Sequence, residues 1–232
     1  MDNYRVLLKF VEPQYLHSFC SGVVNFSPLN HFIQQELEEG AGSIGDKSEG
    51  SYHKDYQIDS IQSIQVDGAT FDKKHLAKTD YPVSLGQDLT TDDKKKCGIA
   101  SFYQLDSKTD FEEISDKYFI MSKQAIHNFE LLNGDSNRVP VLLGLSKKSI
   151  LENTRKLTGK TVEYYSNEKK ITNDSYDDLA FLKRDNFEYQ HEFRLMVELS
   201  KSDISEQIKI DFLFAKPLNS ALDLENKKIN FQ

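Results

Sequence analysis

Phe187-Glu188-Tyr189-Gln190-His191-Glu192-Phe193-Arg194-Leu195-Met196-Val197 is the stretch on which the reading of the fold turns. Side chains of an extended strand alternate between two faces. Phe187, Tyr189, His191, Phe193, Leu195 and Val197 then share one face, and all but the histidine are apolar or aromatic. Glu188, Gln190, Glu192, Arg194 and Met196 share the other. The pattern predicts a strand over 187–199 with one buried face, the kind found in antiparallel sheets.

Working outward, shorter strand patterns fall at 4–10, 23–26, 56–66, 98–105, 139–143, 161–165 and 208–214. Asp67-Gly68 marks a turn after the third of these. Helix signals lie between them. Pro13 opens one that Gly22 ends. Ser27 reads as the cap, and Pro28 as the first residue, of a helix reaching Glu39. Residues 110–133 are helical in parts, and 147–157 form an amphipathic helix ended by Gly159. No regular strand–helix–strand repeat emerges. The expectation is an α+β fold of mixed, mostly antiparallel sheets with packed helices, in one domain spanning 1–232.

The 232 residues carry 37 Asp and Glu against 29 Lys and Arg, a net charge of −8. That balance disfavours non-specific binding to nucleic acid or to an anionic membrane, while leaving room for a local basic cleft. With 15 Phe and 11 Tyr, the chain is too aromatic for a disordered acidic segment. Cys20 and Cys97 lack metal-ligand spacing and read as packing residues, and no metal pattern stands elsewhere. No apolar run nears the ~20 residues of a spanning helix, and Arg5 and Lys9 disqualify the first run as a secretory leader. These features predict a cytoplasmic protein.

Gly40-Ala41-Gly42-Ser43-Ile44-Gly45 fits the dinucleotide pattern G-x-G-x-x-G. That pattern needs a strand before it and a helix after it. Here 34–39 reads as a helix and Asp46-Lys47-Ser48-Glu49-Gly50 as a loop. Residues 40–52 are therefore expected to form an exposed loop without a bound dinucleotide. Asp174-Ser175-Tyr176-Asp177-Asp178 lacks the rest of a calcium loop. Lys183-Arg184 has the composition of a phosphate contact but reads as a solvated pair before a turn.

Gln190 and Glu192 project together, onto either a charged outer face or a cleft. On an outer face, Glu192 and Arg194 would form a surface pair of small energy. On a cleft, the order Arg5, Ser27, Gln190-x-Glu192 resembles that of the ADP-ribosyltransferases. In that family the Glu steadies the nicotinamide ribose, and the Gln two residues earlier faces the acceptor. The resemblance implies a split β-sandwich and NAD as co-substrate. It makes Glu192 and Gln190 catalytic, gives Arg5, Ser27 and Arg194 to NAD binding, and lets Phe26 stack on nicotinamide. Asn25-Phe26-Ser27 stands where the family has Ser-Thr-Ser, and Val6 follows Arg5 where many members have Gly. The chemistry is coherent. Positive charge develops on the ribose as its bond to nicotinamide breaks, and a fixed carboxylate stabilises it. A carboxylate in such a cleft is expected to matter little for stability.

Phe26-Ser27-Pro28-Leu29-Asn30-His31-Phe32, Asp46-Lys47-Ser48-Glu49-Gly50 and Tyr189-Gln190-His191-Glu192-Phe193-Arg194 also resemble a group of bacterial and phage proteins akin to abortive-infection and phage-conflict components. This resemblance implies that Asp46, Glu49, Gln190, Glu192 and Arg194 belong to one centre. The two resemblances imply a toxin or phage-defence effector that modifies a protein or nucleic-acid acceptor, and a protein partner or antitoxin. The alternative is a non-catalytic phage–host conflict protein acting by protein–protein contact.

Overall fold

Three strands from distant parts of the chain meet on β7 (Cys97–Gln104). β14 (Glu192–Glu198) pairs with the whole of one edge, from Glu192 opposite Tyr103 to Glu198 opposite Cys97. Two strands share the other edge. β1 (Tyr4–Val11) sets Leu7 and Leu8 opposite Gln104 and Tyr103, and β2 (Val23–Pro28) sets Ser27 and Pro28 opposite Ile99 and Gly98. β11 (Thr158–Thr161) extends the sheet beyond β14. β10 (Val139–Ser146) and β16 (Phe214–Pro217) extend it beyond β1, and β15 (Glu206–Lys209) beyond β2. This computed structural model describes residues 4–39, 47–57, 59, 61–66, 69–72, 74, 83–106, 108–115, 118–134, 137–166, 176–218 and 229–230.

Every pairing in this eight-stranded sheet is antiparallel. Around it lie the pairs β3 (Ser51–Tyr56) with β6 (Val83–Asp88) and β4 (Ser63–Val66) with β5 (Ala69–Asp72), and a small sheet of β8 (Phe111–Ser115), β9 (Tyr118–Met121) and β17 (Ile229–Asn230). β12 (Glu163–Tyr165) and β13 (Leu182–Arg184) run parallel. The helices are α1 (Leu16–Cys20), α2 (Leu29–Glu39), α3 (Thr91–Lys96), α4 (Lys123–Asn133) and α5 (Lys147–Leu151). The architecture is α+β with mostly antiparallel sheets, as the mixed element order predicts.

The centre of one face of the main sheet is apolar, with Leu7, Phe26, Phe102, Leu143, Phe193 and Leu195 buried together. Each such side chain gains about 1.5–3 kcal/mol from leaving water, so this face holds the sheet together. The opposite face carries two separate apolar clusters. One gathers Leu8, Tyr103 and Phe129 beneath α4, and the other Leu29, Ile99, Tyr165 and Leu179. β7 contributes to both, and its Ser101 lies between them.

Several sequence expectations are corrected. The strand predicted over 187–199 begins only at Glu192. Asp185–Gln190 form a 3-10 helix, and His191 turns the chain in the left-handed region at φ 39°. The cause is a divided apolar pattern. Phe187 packs with Val162 and Tyr164, away from the sheet core that takes Phe193 and Leu195. His191 leaves the core face and stacks on Tyr103 with centroids 5.2 Å apart. Ser27 is not a helix cap, because pairing with Ile99 keeps it in β2 and α2 starts at Leu29. The helix expected over 147–157 stops at Leu151; the Asn153 side chain then accepts from the Arg155 N–H, and Gly159 sits in β11. Residues 110–133 contribute two strands before α4, whose cap is Ser122. The strand expected over 56–66 is split between β3 and β4. Gly22 does end α1, at φ +94°. Gly40–Gly45 and the Asp67-Gly68 turn lie outside the described residues.

Candidate functional site

The polar centre is assembled on the sheet face that Ser101 shares with Glu192 and Arg194. Arg194 is opposite Ser101 in the β14–β7 register, so the two project together. Arg194 is 0% exposed. Its guanidinium donates from Nη1 to Glu49 Oε2 and from Nη2 to Glu49 Oε1, both at 2.7 Å. Nη1 also reaches Ala180 O at 2.5 Å, while Nε and Nη2 reach Glu192 Oε1 and Oε2 at 2.6 and 3.2 Å. A guanidinium has five N–H donors, and these contacts occupy all of them.

Lys183 enters from β13. Its ammonium donates to Gln190 Oε1 at 2.7 Å and Glu192 Oε2 at 3.3 Å, and lies 3.2 Å from Glu49 Oε1. Ser101 Oγ donates to Glu192 Oε1. Two carboxylates and two cations thus form a neutral cluster, with every member at most 4% exposed. Burial works against the charge on Glu192, but the fields of Arg194 and Lys183 outweigh it and hold the carboxyl far below its usual range. Arg194 is likewise pushed well above its ordinary value, because the two carboxylates overcome its desolvation.

The cluster lines one side of a cleft of about 560 Å³, which Ser27, His31 and Lys9 also line. Within it, Gln190 has one unusual feature. An ammonium can only donate, so the Lys183 contact fixes Oε1 toward Lys183 and directs Nε2 the other way. Gln190 is 6% exposed, and its Nε2 has no hydrogen-bond partner among the described residues.

The structure sorts the residues singled out from sequence. Glu49, Gln190, Glu192 and Arg194 come together, and Ser27 lines the same cleft. Asp46 lies outside the described residues. Arg5 is placed elsewhere. It lies over the Phe193 ring at 4.9 Å and bonds Gln104 Oε1 at 2.7 Å. Phe193 and Glu192 alternate on β14, so Arg5 sits across the sheet from Glu192. Phe26, offered for stacking, is fully buried in the apolar core. Lys183 is not a solvated residue but 3% exposed. The loop predicted to be exposed over 40–52 is closed at its described end, because Glu49 and Ser51 are buried. Sequence reasoning missed Ser101 and Lys9, and read Lys183 as a solvated residue. Ser101 left a signal as a polar residue at the centre of an apolar strand pattern, Ile99-Ala100-Ser101-Phe102.

Among the described residues, no group of three or more His, Cys, Asp or Glu side chains is placed to hold a metal ion. Burial pushes the Cys97 thiol up to about 12, which leaves it a poor nucleophile. No described helix is long and apolar enough to cross a membrane. Compared with protein-family models, with curated proteins and with solved structures, the chain gives no match.

Proposed function

We propose that the cleft binds NAD and that the chain is an ADP-ribosyltransferase-type enzyme, acting as a toxin or phage-defence effector on a protein or nucleic-acid acceptor. The observation that carries this reading is the buried Gln190 Nε2, without a hydrogen-bond partner among the described residues, on the same cleft as the ionised Glu192. A buried donor without an acceptor costs about 1–3 kcal/mol, and a ligand carrying oxygen acceptors relieves that cost. The reaction requires neutral nicotinamide to leave C1′ of the ribose with the bonding electrons. The acceptor oxygen or nitrogen then bonds C1′ and releases its proton. Glu192, oriented before substrate arrives, offers negative charge to the cationic ribose. Gln190 orients the incoming acceptor. Arg194 acts here as the group that fixes Glu192, since its own donors are all occupied. Arg5 has no part in this cleft.

One observation favours a second reading. Both oxygens of Glu192 already accept two protein donors each. A carboxylate satisfied in this way serves well as a structural ion pair, as in a non-catalytic phage–host conflict protein that works by protein contact. Calorimetric titration with NAD, followed by assay of nicotinamide release, separates the two. Saturable binding with release that depends on Glu192 supports the enzyme. Absence of NAD binding at millimolar concentration overturns it in favour of the binding protein.

A further inference from the structure

β1 and β2 pair only with the two ends of β7, leaving Ala100, Ser101 and Phe102 with no strand partner on that edge among the described residues. The slot so formed belongs to the 560 Å³ cleft. In an antiparallel strand, a residue's N–H and C=O point to the same edge. The Ser101 carbonyl points into the slot, where Lys9 Nζ donates to it at 2.7 Å. Its N–H therefore opens on the slot too. The alternation holds along the strand: Leu105 N–H bonds Val6 O on this edge, while Gln104 N–H bonds His191 O on the other.

Lys9 supplies the charge. Its ammonium has three N–H donors, of which the described residues engage one, and it lies 5.6 Å above the Phe102 ring. Arg138 lines the same end of the cleft, anchored through Nη2 to the Leu132 and Asn133 carbonyls at the end of α4. Glu12, Glu49 and Glu192 are the carboxylates among the described residues that line the cleft, and Glu49 and Glu192 are paired with Arg194 and Lys183. Donors thus converge from two directions: Lys9 and the Ser101 N–H at the slot, Gln190 Nε2 from the polar cluster.

We propose that this slot is an anion subsite, in which Lys9 Nζ and the Ser101 N–H hold a phosphate oxygen of a phosphoanhydride ligand. Arg138 adds a second positive charge, and Gln190 Nε2 donates to an acceptor further along the same ligand. The inference deepens the reading of the cleft as a nucleotide site, yet it requires only the phosphoanhydride and not nicotinamide.

The test is calorimetric titration of the full chain with inorganic pyrophosphate, with ADP, and with nicotinamide riboside, which lacks the anhydride. Pyrophosphate and ADP are expected to bind saturably, and Lys9→Met to weaken both at least tenfold. Lys148→Met, on an exposed side chain, is expected to leave them unchanged. In the wild-type chain, pyrophosphate should also protect Lys9, but not Lys148, from an amine-reactive label read by mass spectrometry; this arm does not depend on the variant folding. No pyrophosphate binding, equal loss in both variants, or unprotected Lys9 overturns the subsite. Pyrophosphate binding without NAD binding upholds the subsite and overturns the NAD reading alone.

Discussion

Glu49 and Arg194, 145 residues apart, meet in a two-point bridge with both N–O distances at 2.7 Å. The bridge joins the turn before β3 to the middle of β14, and both side chains are within 1% of full burial. Removing one partner leaves the other charged and without water. Glu49→Ala is expected to lower unfolding free energy by about 3–5 kcal/mol, the range for a broken buried pair. Urea denaturation checks it. A loss below about 1 kcal/mol would mean that water replaces the carboxylate.

Glu192→Gln tests the proposed chemistry. The substitution keeps the volume but removes the charge, and places an amide NH₂ where Arg194, Lys183 or Ser101 now donates. Nicotinamide release per folded molecule is expected to fall by about 10²–10³, the usual loss on removing a preorganised electrostatic contact. The melting temperature is expected to fall as well. That second outcome replaces the expectation, drawn from sequence, of a cleft carboxylate with little bearing on stability. Its four protein donors are the reason.

Stability should depend on acid in a definite direction. Glu192 has a folded pKa depressed below the roughly 4.3 of an unfolded glutamate. The stabilisation is therefore fully present above that unfolded value and is lost as pH falls toward the folded one. Urea midpoints measured from pH 7 to pH 3 are expected to decline most steeply below about pH 5. In Glu192→Gln the decline should be shallower. Equal slopes in the two proteins would remove Glu192 as the source.

Gly22→Ala should be among the costlier glycine substitutions. Gly22 sits at φ +94°, and a Cβ there would lie 2.2 Å from the Ile210 carbonyl oxygen. The Ile210 N–H bonds the Gly22 carbonyl at 2.8 Å, so the two backbones have no room to part. A loss of about 1–3 kcal/mol is expected from the strained conformation alone. Thermal unfolding that matched wild type would show that the α1–β2 connection can relax.

The sheet was legible because its strands carry local patterns. Residues 4–10, 98–105 and 139–143 read as strands from their own apolar content, and they are β1, β7 and β10. The ends of elements were less legible, since tertiary pairing decides them. Ser27-Pro28 has a sound helix-start signature, yet β7 captures both residues into β2. The site was half legible. Gln190 and Glu192 lie within one segment, so their spacing could suggest a shared role, although a 3-10 turn and not a strand brings them together. Glu49 came within reach only through the resemblance of its acidic loop. Lys183 was misread because the polar Arg184, Asp185 and Asn186 follow it. Its burial comes from the carboxylates of Glu49 and Glu192, which no local window contains.

The position of β7 sets the order in which the protein can be made. Its neighbours on one edge, β1 and β2, precede it in sequence, whereas its neighbour on the other, β14, begins only at Glu192. Until β14 is made, β7 can have β1 and β2 on one side and an edge of unpaired backbone N–H and C=O groups on the other. Closure waits for β14, and the site waits with it, since Arg194 and Glu192 arrive together on that strand. Sheets built from such distant contacts fold slowly, and a nascent chain stalled before residue 192 holds Glu49 without Arg194, its two-point partner. An activity that resides in this cleft is therefore withheld until β14 has been made.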